Sequence, residues 1–413
     1  MTYIKEFGNG LKLVVAKMTG AFSVSCGILV KTGSINETAE DNGISHFIEH
    51  TMFKGTEKRS AFEISDFADG IGAQINAYTS KELTCYYMKS TAEHLKDSFD
   101  LLSDIFFSST FVHNELEREK GVIIEEINMS EDSPEDVCLD LLSESYYGEE
   151  GLGRTILGSK KNVRSFSKKS VFSYMDKYYT ADNVVVSVAG DVSEEEAERL
   201  CEEYFTEKFT RFKSAKQWEG SIPAPRHLKK IKKIEQSHVG ISMPSVKLDD
   251  DRIDALSVAN VVLGGGMSSR LFQRVREELG LCYTVYSYVS AYKQSGVAEI
   301  YAGVNTKSRD LAVKAICETV KKFKKDGITE QEFLRGKEQI KSAFIFGQES
   351  NSALMQLYGR RLLFTGKAED VKERIAKIEG VTKDKVSEAI EEFFDLKKAS
   401  TATVGPKRTA IEL

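Results

Sequence analysis

Short apolar runs alternate with longer amphipathic stretches along the whole chain. The runs at residues 11–17, 83–90 and 183–190 are strand-sized and rich in β-branched or aromatic residues, which predicts β-strands. The longer stretches repeat apolar residues every three or four positions, which predicts amphipathic helices near residues 94–107, 114–130, 193–205, 252–263, 268–279, 308–325 and 329–347. The alternation predicts the α+β class, with mixed sheets packed against helices.

A polar, basic segment near the middle divides the chain of 413 residues. It holds two of the five prolines, Pro223 and Pro225, which disfavour both helix and central strand. We therefore predict a first domain at residues 1–210, a linker at 211–230 and a second domain at 231–413.

The two halves resemble diverged copies of one pattern. A strand followed by a helix occurs at residues 23–31 and 43–56, and again at 236–244 and 255–268. In this register His46 and His50 lie opposite Val258 and Val262, so the second copy keeps the fold without the polar side chains. The sequence predicts two homologous domains, although similar patterns arising by chance stay open as the alternative.

Charge and composition exclude several classes of protein. The net charge of -6 lacks the basic footprint of a nucleic-acid binder. Neither a signal peptide nor an apolar run of roughly 18 residues is evident, so no membrane association is predicted. The six cysteines are scattered and form no CxxC pair, which favours buried free thiols in a reducing compartment. These features together predict a cytoplasmic protein.

The stretch at residues 43–53 carries the candidate chemistry. Asn42 is predicted to cap the helix and Gly55 to close its end. At 100° per residue the predicted helix has two distinct faces. One face is apolar and consists of Ile44, Phe47, Ile48 and Thr51. The opposite face consists of His46, Glu49, His50 and Phe53. Histidines at i and i+4 reach a single ion, and a glutamate beside them suits a base that activates water. The alternative is a capped surface helix with two exposed histidines.

Zinc needs a third protein ligand, and residues 114–130 offer one. Glu119 and Glu126 lie seven residues apart on the same stripe as Leu116, Ile123 and Ile127. A carboxylate on a buried stripe is costly unless it is paired with a cation or coordinates a metal. Pairing with basic residues is the alternative to metal coordination.

These residues carry a resemblance to a known family. HFIEH at 46–50 followed by EREKGVIIEEI at 117–127 resembles the inverzincin peptidases of the pitrilysin and mitochondrial-processing-peptidase type, in particular the short-chain bacterial members. The resemblance implies that Glu126, 76 residues beyond His50, is the third zinc ligand and that Glu119 is a supporting acid behind the ligands. Residues 43–56 and 73–87 also resemble segments of the family.

The second half carries part of the same resemblance at residues 270–287. There the family has an arginine and a tyrosine that help hold the substrate and the transition state, and these positions correspond to Arg276 and Tyr283. A guanidinium can bind a peptide carbonyl, and a phenol can donate to a developing oxyanion. Without the resemblance, Arg276 would be an ordinary surface residue and Tyr283 a residue of a strand core.

The resemblance implies a zinc-dependent endopeptidase in which Glu49 is the base. It further implies that two homologous α+β domains form half of a two-chain clamshell and that unfolded peptides enter the enclosed chamber. Because this chain carries both the zinc half and the Arg276–Tyr283 half, a homodimer is expected, and a heterodimer stays open as the alternative. The candidate edge strand for peptide pairing is residues 74–79, with Asn76 and Ala77 as substrate-binding residues. The alternative function is a non-catalytic peptide-binding or scaffold subunit of the family. A closed structural zinc site would need a fourth ligand, for which His94 and His113 are candidates only by default.

Overall fold

The computed structural model describes residues 2–210, 213–220, 224–407 and 410–413. Its strands are β1 Thr2–Glu6, β2 Lys12–Lys17, β3 Ser23–Val30, β4 Gln74–Thr79, β5 Thr84–Thr91, β6 Val184–Gly190, β7 His227–Ile231, β8 Gln236–Pro244, β9 Cys282–Ala291, β10 Gly296–Asn305 and β11 Ser400–Gly405. Its α-helices are α1 Ile44–Met52, α2 Ala61–Gly70, α3 Leu95–Ser108, α4 His113–Asp132, α5 Pro134–Tyr147, α6 Lys160–Ser165, α7 Lys168–Tyr178, α8 Glu194–Tyr204, α9 Ile253–Gly264, α10 Arg309–Asp326, α11 Glu330–Gly347, α12 Asn351–Thr365, α13 Val371–Glu379 and α14 Lys383–Phe393.

The chain forms two compact units, each with its own sheet. The first unit comprises Met1–Ile127, Thr155–Trp218 and Phe346–Val371, and the second comprises Asn128–Arg154, Glu219–Ile345 and Lys372–Leu413. Within the described residues, the first sheet has the strand order β1-β2-β6-β3-β5-β4 and the second has the order β7-β11-β8-β10-β9.

The two sheets repeat one topology. β2 pairs with β6 in parallel, as β7 pairs with β11, and the following neighbours in both sheets are antiparallel. The strands β2, β6, β3, β5 and β4 therefore correspond in order to β7, β11, β8, β10 and β9. The predicted α+β class, with two homologous domains that each contain a mixed sheet and helices, is confirmed.

Each unit includes a helix from the other half of the sequence. In the first unit, α12 packs on β3 and β6, where the Ser187 hydroxyl donates to the carbonyl of Met355 at 2.7 Å. The crossing is close because Gly359 has no side chain, and a Cβ there would lie 2.6 Å from Leu29. In the second unit, α5 packs on β8 and β11, where a Cβ on Gly240 would lie 2.8 Å from Leu142.

The predicted bounds, 1–210 and 231–413, assign one continuous stretch to each domain. They therefore do not include the exchange of α5 and α12, in which each helix belongs to the unit of the other half. Residues 128–154 and 346–371 lie in the unit opposite to their half of the sequence. In the predicted linker, residues 211, 212 and 221–223 lie outside the described residues, including Pro223. Its last residues, from His227 onwards, are part of β7.

One predicted helix has a different geometry. Residues 268–279 were expected to be α-helical, but Phe272–Glu278 form a π-helix, a form that is rare and occurs often at functional sites. Five cysteines are buried and Cys282 is half-buried, with every cysteine free. Among the described residues, no helix combines the length and apolar character needed to cross a bilayer.

Candidate metal centre

The helix α1 presents both histidines from the first unit. Its apolar face is fully buried, with Ile44, Phe47 and Ile48 at most 1% exposed. His46 is only 7% exposed, and the side chain of His50 is 24% exposed. The alternative of a surface helix with two exposed histidines therefore does not describe this helix.

The start of α1 differs from the prediction. The residue before the helix is Gly43, which has a φ of 99°, and no side chain at that position caps the helix. The predicted cap at Asn42 is wrong, because its amide instead donates to Glu37 at 2.8 Å and to the Thr155 carbonyl at 2.9 Å. The helix ends at Met52, with Phe53 as its C-cap, so Gly55 lies two residues beyond the cap and does not close the helix.

The helix α4 brings Glu126 to the two histidines. Oε2 of Glu126 lies 3.4 Å from Nε2 of His46 and 3.4 Å from Nε2 of His50. One candidate ligand atom from each residue lies within 4.8 Å of the others. Two imidazole nitrogens and one carboxylate oxygen are a donor set that suits a catalytic zinc ion, with a fourth position left for water.

An unsatisfied atom at the centre of this group supports the fit to a metal. Oε2 of Glu126 is buried and has no hydrogen-bond partner among the described residues. A buried carboxylate oxygen without a partner is costly unless a cation compensates it. The residues His46, His50 and Glu126 therefore fit a zinc ion.

Glu119 contacts the other nitrogen of one histidine. Its Oε2 lies 3.3 Å from Nδ1 of His50, and its Oε1 lies 2.8 Å from Nζ of Lys54. A carboxylate that accepts a hydrogen bond from the Nδ1–H group fixes the tautomer and leaves the Nε2 lone pair free for a metal. Glu119 is thus placed to orient His50 and to be held in turn by Lys54.

The two histidines differ in their titration. Burial, followed by the neighbouring charge of His50, lowers the pKa of His46 to about 4. Burial also lowers the pKa of His50, but the neighbouring carboxylates of Glu119 and Glu126 outweigh it and raise that pKa to about 9. The neighbouring imidazole of His50 holds the pKa of Glu126 below its usual value.

Glu49 lies on α1 three residues after His46 and directly before His50. Burial raises the pKa of its carboxyl, and the charge of Glu126 adds to the rise. Its Oε2 is buried with no hydrogen-bond partner in the described part of the chain. A carboxylate with a raised pKa beside a metal site suits the transfer of protons to and from water.

The strand β4 lies beside this helix at the edge of the first sheet. It pairs with β5 on one side, and α1 packs against it. On its other side no strand pairs with it among the described residues. Asn76 is exposed, and its side-chain oxygen accepts a hydrogen bond from the backbone N–H of Ala77 at 2.8 Å. The edge is therefore placed to pair with an added strand.

In the second unit, Arg276 lies close to two aromatic rings. Its guanidinium carbon lies 4.6 Å from the ring centroid of Phe272 and 4.7 Å from that of Tyr283. Tyr283 is 76% exposed, so its alternative assignment to a strand core is wrong. These two cation–π contacts restrict the guanidinium, and its Nε lies 3.7 Å from a carboxylate oxygen of Glu277.

The default candidates for a fourth ligand do not join the metal group. Nδ1 of His94 lies 2.7 Å from a carboxylate oxygen of Asp97. His113 is the first residue of α4, thirteen residues before Glu126. Among the described residues, the clustered donor group consists of His46, His50 and Glu126. A zinc ion held by these three side chains would keep a fourth position open.

Sequence reasoning missed three residues that support the site: Glu37, Lys54 and Phe272. Glu37 contacts α1 through an irregular segment that carries no periodic signal. Lys54 lies four residues after His50, a spacing at which helical side chains are neighbours, and this signal could have identified it. Phe272 lies four residues before Arg276 and could have been identified in the same way.

Comparison with known proteins gives a consistent result over both halves. Residues 13–160 match the family model described as insulinase, peptidase family M16, and residues 165–340 match the model described as peptidase M16 inactive domain. An uncharacterized zinc protease of Bacillus subtilis is 42% identical over 94% of this chain and 94% of its own length. Similar proteins named uncharacterized zinc proteases occur in Rickettsia felis, at 34% identity over 98% of this chain and 97% of that protein, and in Streptomyces coelicolor, at 33% identity over 96% and 88%.

Two solved structures share the fold. A peptidase M16 inactive domain from Pseudomonas fluorescens matches with a TM-score of 0.92 and 19% identity, over 100% of this chain and 99% of that chain. A protease from Helicobacter pylori matches with a TM-score of 0.91 and 22% identity, over 98% of this chain and 99% of that chain. At these identities the likeness concerns the fold.

Proposed function

Since the chain belongs to peptidase family M16, we propose that it is a zinc-dependent endopeptidase that cleaves unfolded peptides. The observation that carries the proposal is the convergence of His46, His50 and Glu126, whose candidate ligand atoms lie within 4.8 Å of one another. Relatives named zinc proteases support the same metal.

The proposed roles follow from the positions of the side chains. When bound, zinc supplies Lewis acidity that activates a water molecule and polarises a carbonyl. Glu49 accepts a proton from the attacking water and returns it to the leaving amine. Glu119 holds the proton on Nδ1 of His50, so that Nε2 remains a ligand.

Substrate binding is proposed for residues of both units. The free edge of β4, at Asn76 and Ala77, pairs with an extended peptide by adding it as a strand. Arg276, which contacts the rings of Phe272 and Tyr283, binds a peptide carbonyl, and the hydroxyl of the exposed Tyr283 donates to the oxyanion. We propose that these elements act in an enclosed chamber, formed as a clamshell by a homodimer of this chain in the cytoplasm.

A non-catalytic peptide-binding subunit is the competing proposal. The match of residues 165–340 to a model described as an inactive domain concerns the half that carries Val258 and Val262 in place of histidines. The first half retains both histidines, the third ligand and Glu49, the half-buried glutamate that suits a base. This complete set favours the enzyme over the scaffold.

The test is cleavage of a quenched fluorogenic peptide of about 10–20 residues, long enough to add as a strand. We expect the purified protein to cleave it, a chelator to abolish the cleavage, and added zinc to restore it. Cleavage that continues unchanged in the chelator would contradict the zinc mechanism. Zinc binding without cleavage of any peptide in a varied library would favour the scaffold.

A further inference from the structure

Glu37 is a buried carboxylate at the start of the helix that carries the histidines. Glu37 is only 3% exposed to solvent. Oε2 accepts hydrogen bonds from the backbone N–H of Gly43 at 2.7 Å and from the amide of Asn42 at 2.8 Å. Oε1 accepts from the backbone N–H of Ser45 at 2.9 Å. A single carboxylate thus binds the backbone on both sides of the first helical residue.

The residue at the N-cap position of α1 does not cap the helix, so Glu37 is not a second cap. The first N–H groups of an α-helix lack partners within the helix. Gly43 precedes α1 and offers no side chain to accept from them. Glu37 therefore supplies the acceptor that the start of the helix lacks.

Two further contacts fix the same turn. The hydroxyl of Ser45 donates to that of Tyr174 at 2.9 Å, and the Tyr174 hydroxyl lies 2.7 Å from that of Thr32. Gly43 is wedged against the chain, since a Cβ there would lie 2.7 Å from the carbonyl oxygen of Leu157. His46 follows Ser45 directly, so this fixed turn adjoins the first candidate ligand.

The two histidines are held in different ways. Nδ1 of His50 contacts Glu119, which fixes its ring. Nδ1 of His46 is buried and has no hydrogen-bond partner among the residues described. No second side chain therefore orients the His46 ring through that nitrogen, and its direction depends on the backbone from which it projects.

We propose that Glu37 is a positioning residue for the metal centre: it fixes the first turn of α1 and thereby directs Nε2 of His46 toward Glu126. The inference rests on the proposed function, because it requires His46 to be a zinc ligand. A role in stability alone predicts that Glu37 variants unfold more easily but hold metal normally while folded. A positioning role predicts a changed metal site in the folded protein.

The experiment compares Glu37→Gln with the wild type in two measurements made below the unfolding temperature. The first is the rate at which bound zinc is lost to an excess of a coloured chelator. The second is the visible absorption spectrum of the cobalt-substituted protein, which reports on the arrangement of the ligands. We expect Glu37→Gln to release zinc on the order of tenfold faster, as for other residues that orient metal ligands, and to show a shifted cobalt spectrum.

A matched control removes another helix cap in the same unit. Ser193 caps α8, which carries no candidate ligand, by accepting from the N–H of Glu196 at 3.1 Å. Ser193→Ala should lower the melting temperature and leave zinc release and the cobalt spectrum as in the wild type. If Ser193→Ala released zinc as fast as Glu37→Gln, the effect would be one of general stability and the proposal would be overturned.

A milder variant covers the case in which Glu37→Gln does not fold. Asn42→Ala removes one donor to Glu37 and leaves the carboxylate in place, so a smaller acceleration of zinc release is expected. Wild-type rates and spectra in the folded variants would overturn the proposal. A wild-type protein that binds neither zinc nor cobalt would instead overturn the proposed function and this inference with it, an outcome recognised because the wild type itself fails.

Discussion

The carboxylate of Glu119 lies 3.3 Å from Nδ1 of His50, while Nε2 of the same ring lies 3.4 Å from Glu126. The ring thus has one nitrogen facing a supporting acid and the other facing a candidate ligand. Such partners orient a ligating histidine and raise its basicity. The arrangement predicts that Glu119 acts on the metal only through His50.

Removal of Glu119 should weaken zinc binding without abolishing it. We expect Glu119→Ala to raise the dissociation constant for zinc by about 10- to 100-fold, because His50 loses the acceptor that fixes its tautomer. Competition with a chelator of known affinity measures the change. Glu125→Ala is the matched control, since Glu125 is exposed and lies on the same helix. The zinc affinity of this variant should stay at the wild-type value. Equal affinities in Glu119→Ala and the wild type would refute the supporting role.

Zinc affinity should depend on pH in a definite direction. The pKa of His50 is raised to about 9, so its imidazole is in the protonated form at neutral pH. Zinc therefore has to displace the proton on Nε2. Affinity should rise about tenfold for each pH unit between 6 and 9 and level off above. The pKa of His46 is lowered to about 4, so that ring adds a second dependence only in more acidic solution. Chelator competition across this range checks the slope, and an affinity independent of pH would contradict the assignment.

The contacts of Arg276 predict a loss of turnover without loss of metal. Arg276→Lys keeps the charge but removes the planar group that contacts the rings of Phe272 and Tyr283. We expect kcat/KM for a fluorogenic peptide to fall by on the order of 100-fold, with zinc content unchanged. Arg274→Lys, on the same π-helix and paired with Glu278 at 2.8 Å, serves as the control and should retain activity. Full activity in Arg276→Lys would remove this residue from the mechanism.

The close crossing of α12 over the first sheet predicts a stability effect. Gly359→Ala places a Cβ 2.6 Å from Leu29, and such overpacking costs about 1–3 kcal/mol. Gly121→Ala in α4 meets no atom within 4 Å, and alanine in a helix interior should raise the stability by about 0.5–1 kcal/mol. Urea unfolding measures both changes. A stable Gly359→Ala variant would contradict the tight packing of the exchanged helix.

Much of the metal group could be predicted because its signal is local. His46, Glu49 and His50 lie on one turn of one helix, and helical spacing alone places them together. Selecting Glu126 rather than Glu119 as the third ligand required the family resemblance, since both lie on one stripe. The exposure of Tyr283 was not predicted, because an edge strand gives no sequence signal for its open side.

Other features depend on contacts between distant residues. The Asn42 cap was wrong because Gly43 adopts a positive φ and Glu37 binds the helix start from outside it. The exchange of α5 and α12 between the units could not be predicted, because periodicity indicates that a helix is amphipathic and not which sheet covers its apolar face.

The most direct test combines zinc content and peptide cleavage in Glu49→Gln and the wild type. This substitution keeps the size of the side chain but removes the base, and the three ligands remain. We predict close to one zinc per chain in both proteins, with cleavage reduced by at least about 100-fold in the variant. Undiminished cleavage by Glu49→Gln, or a folded wild-type protein that binds no zinc, would contradict the proposed zinc peptidase.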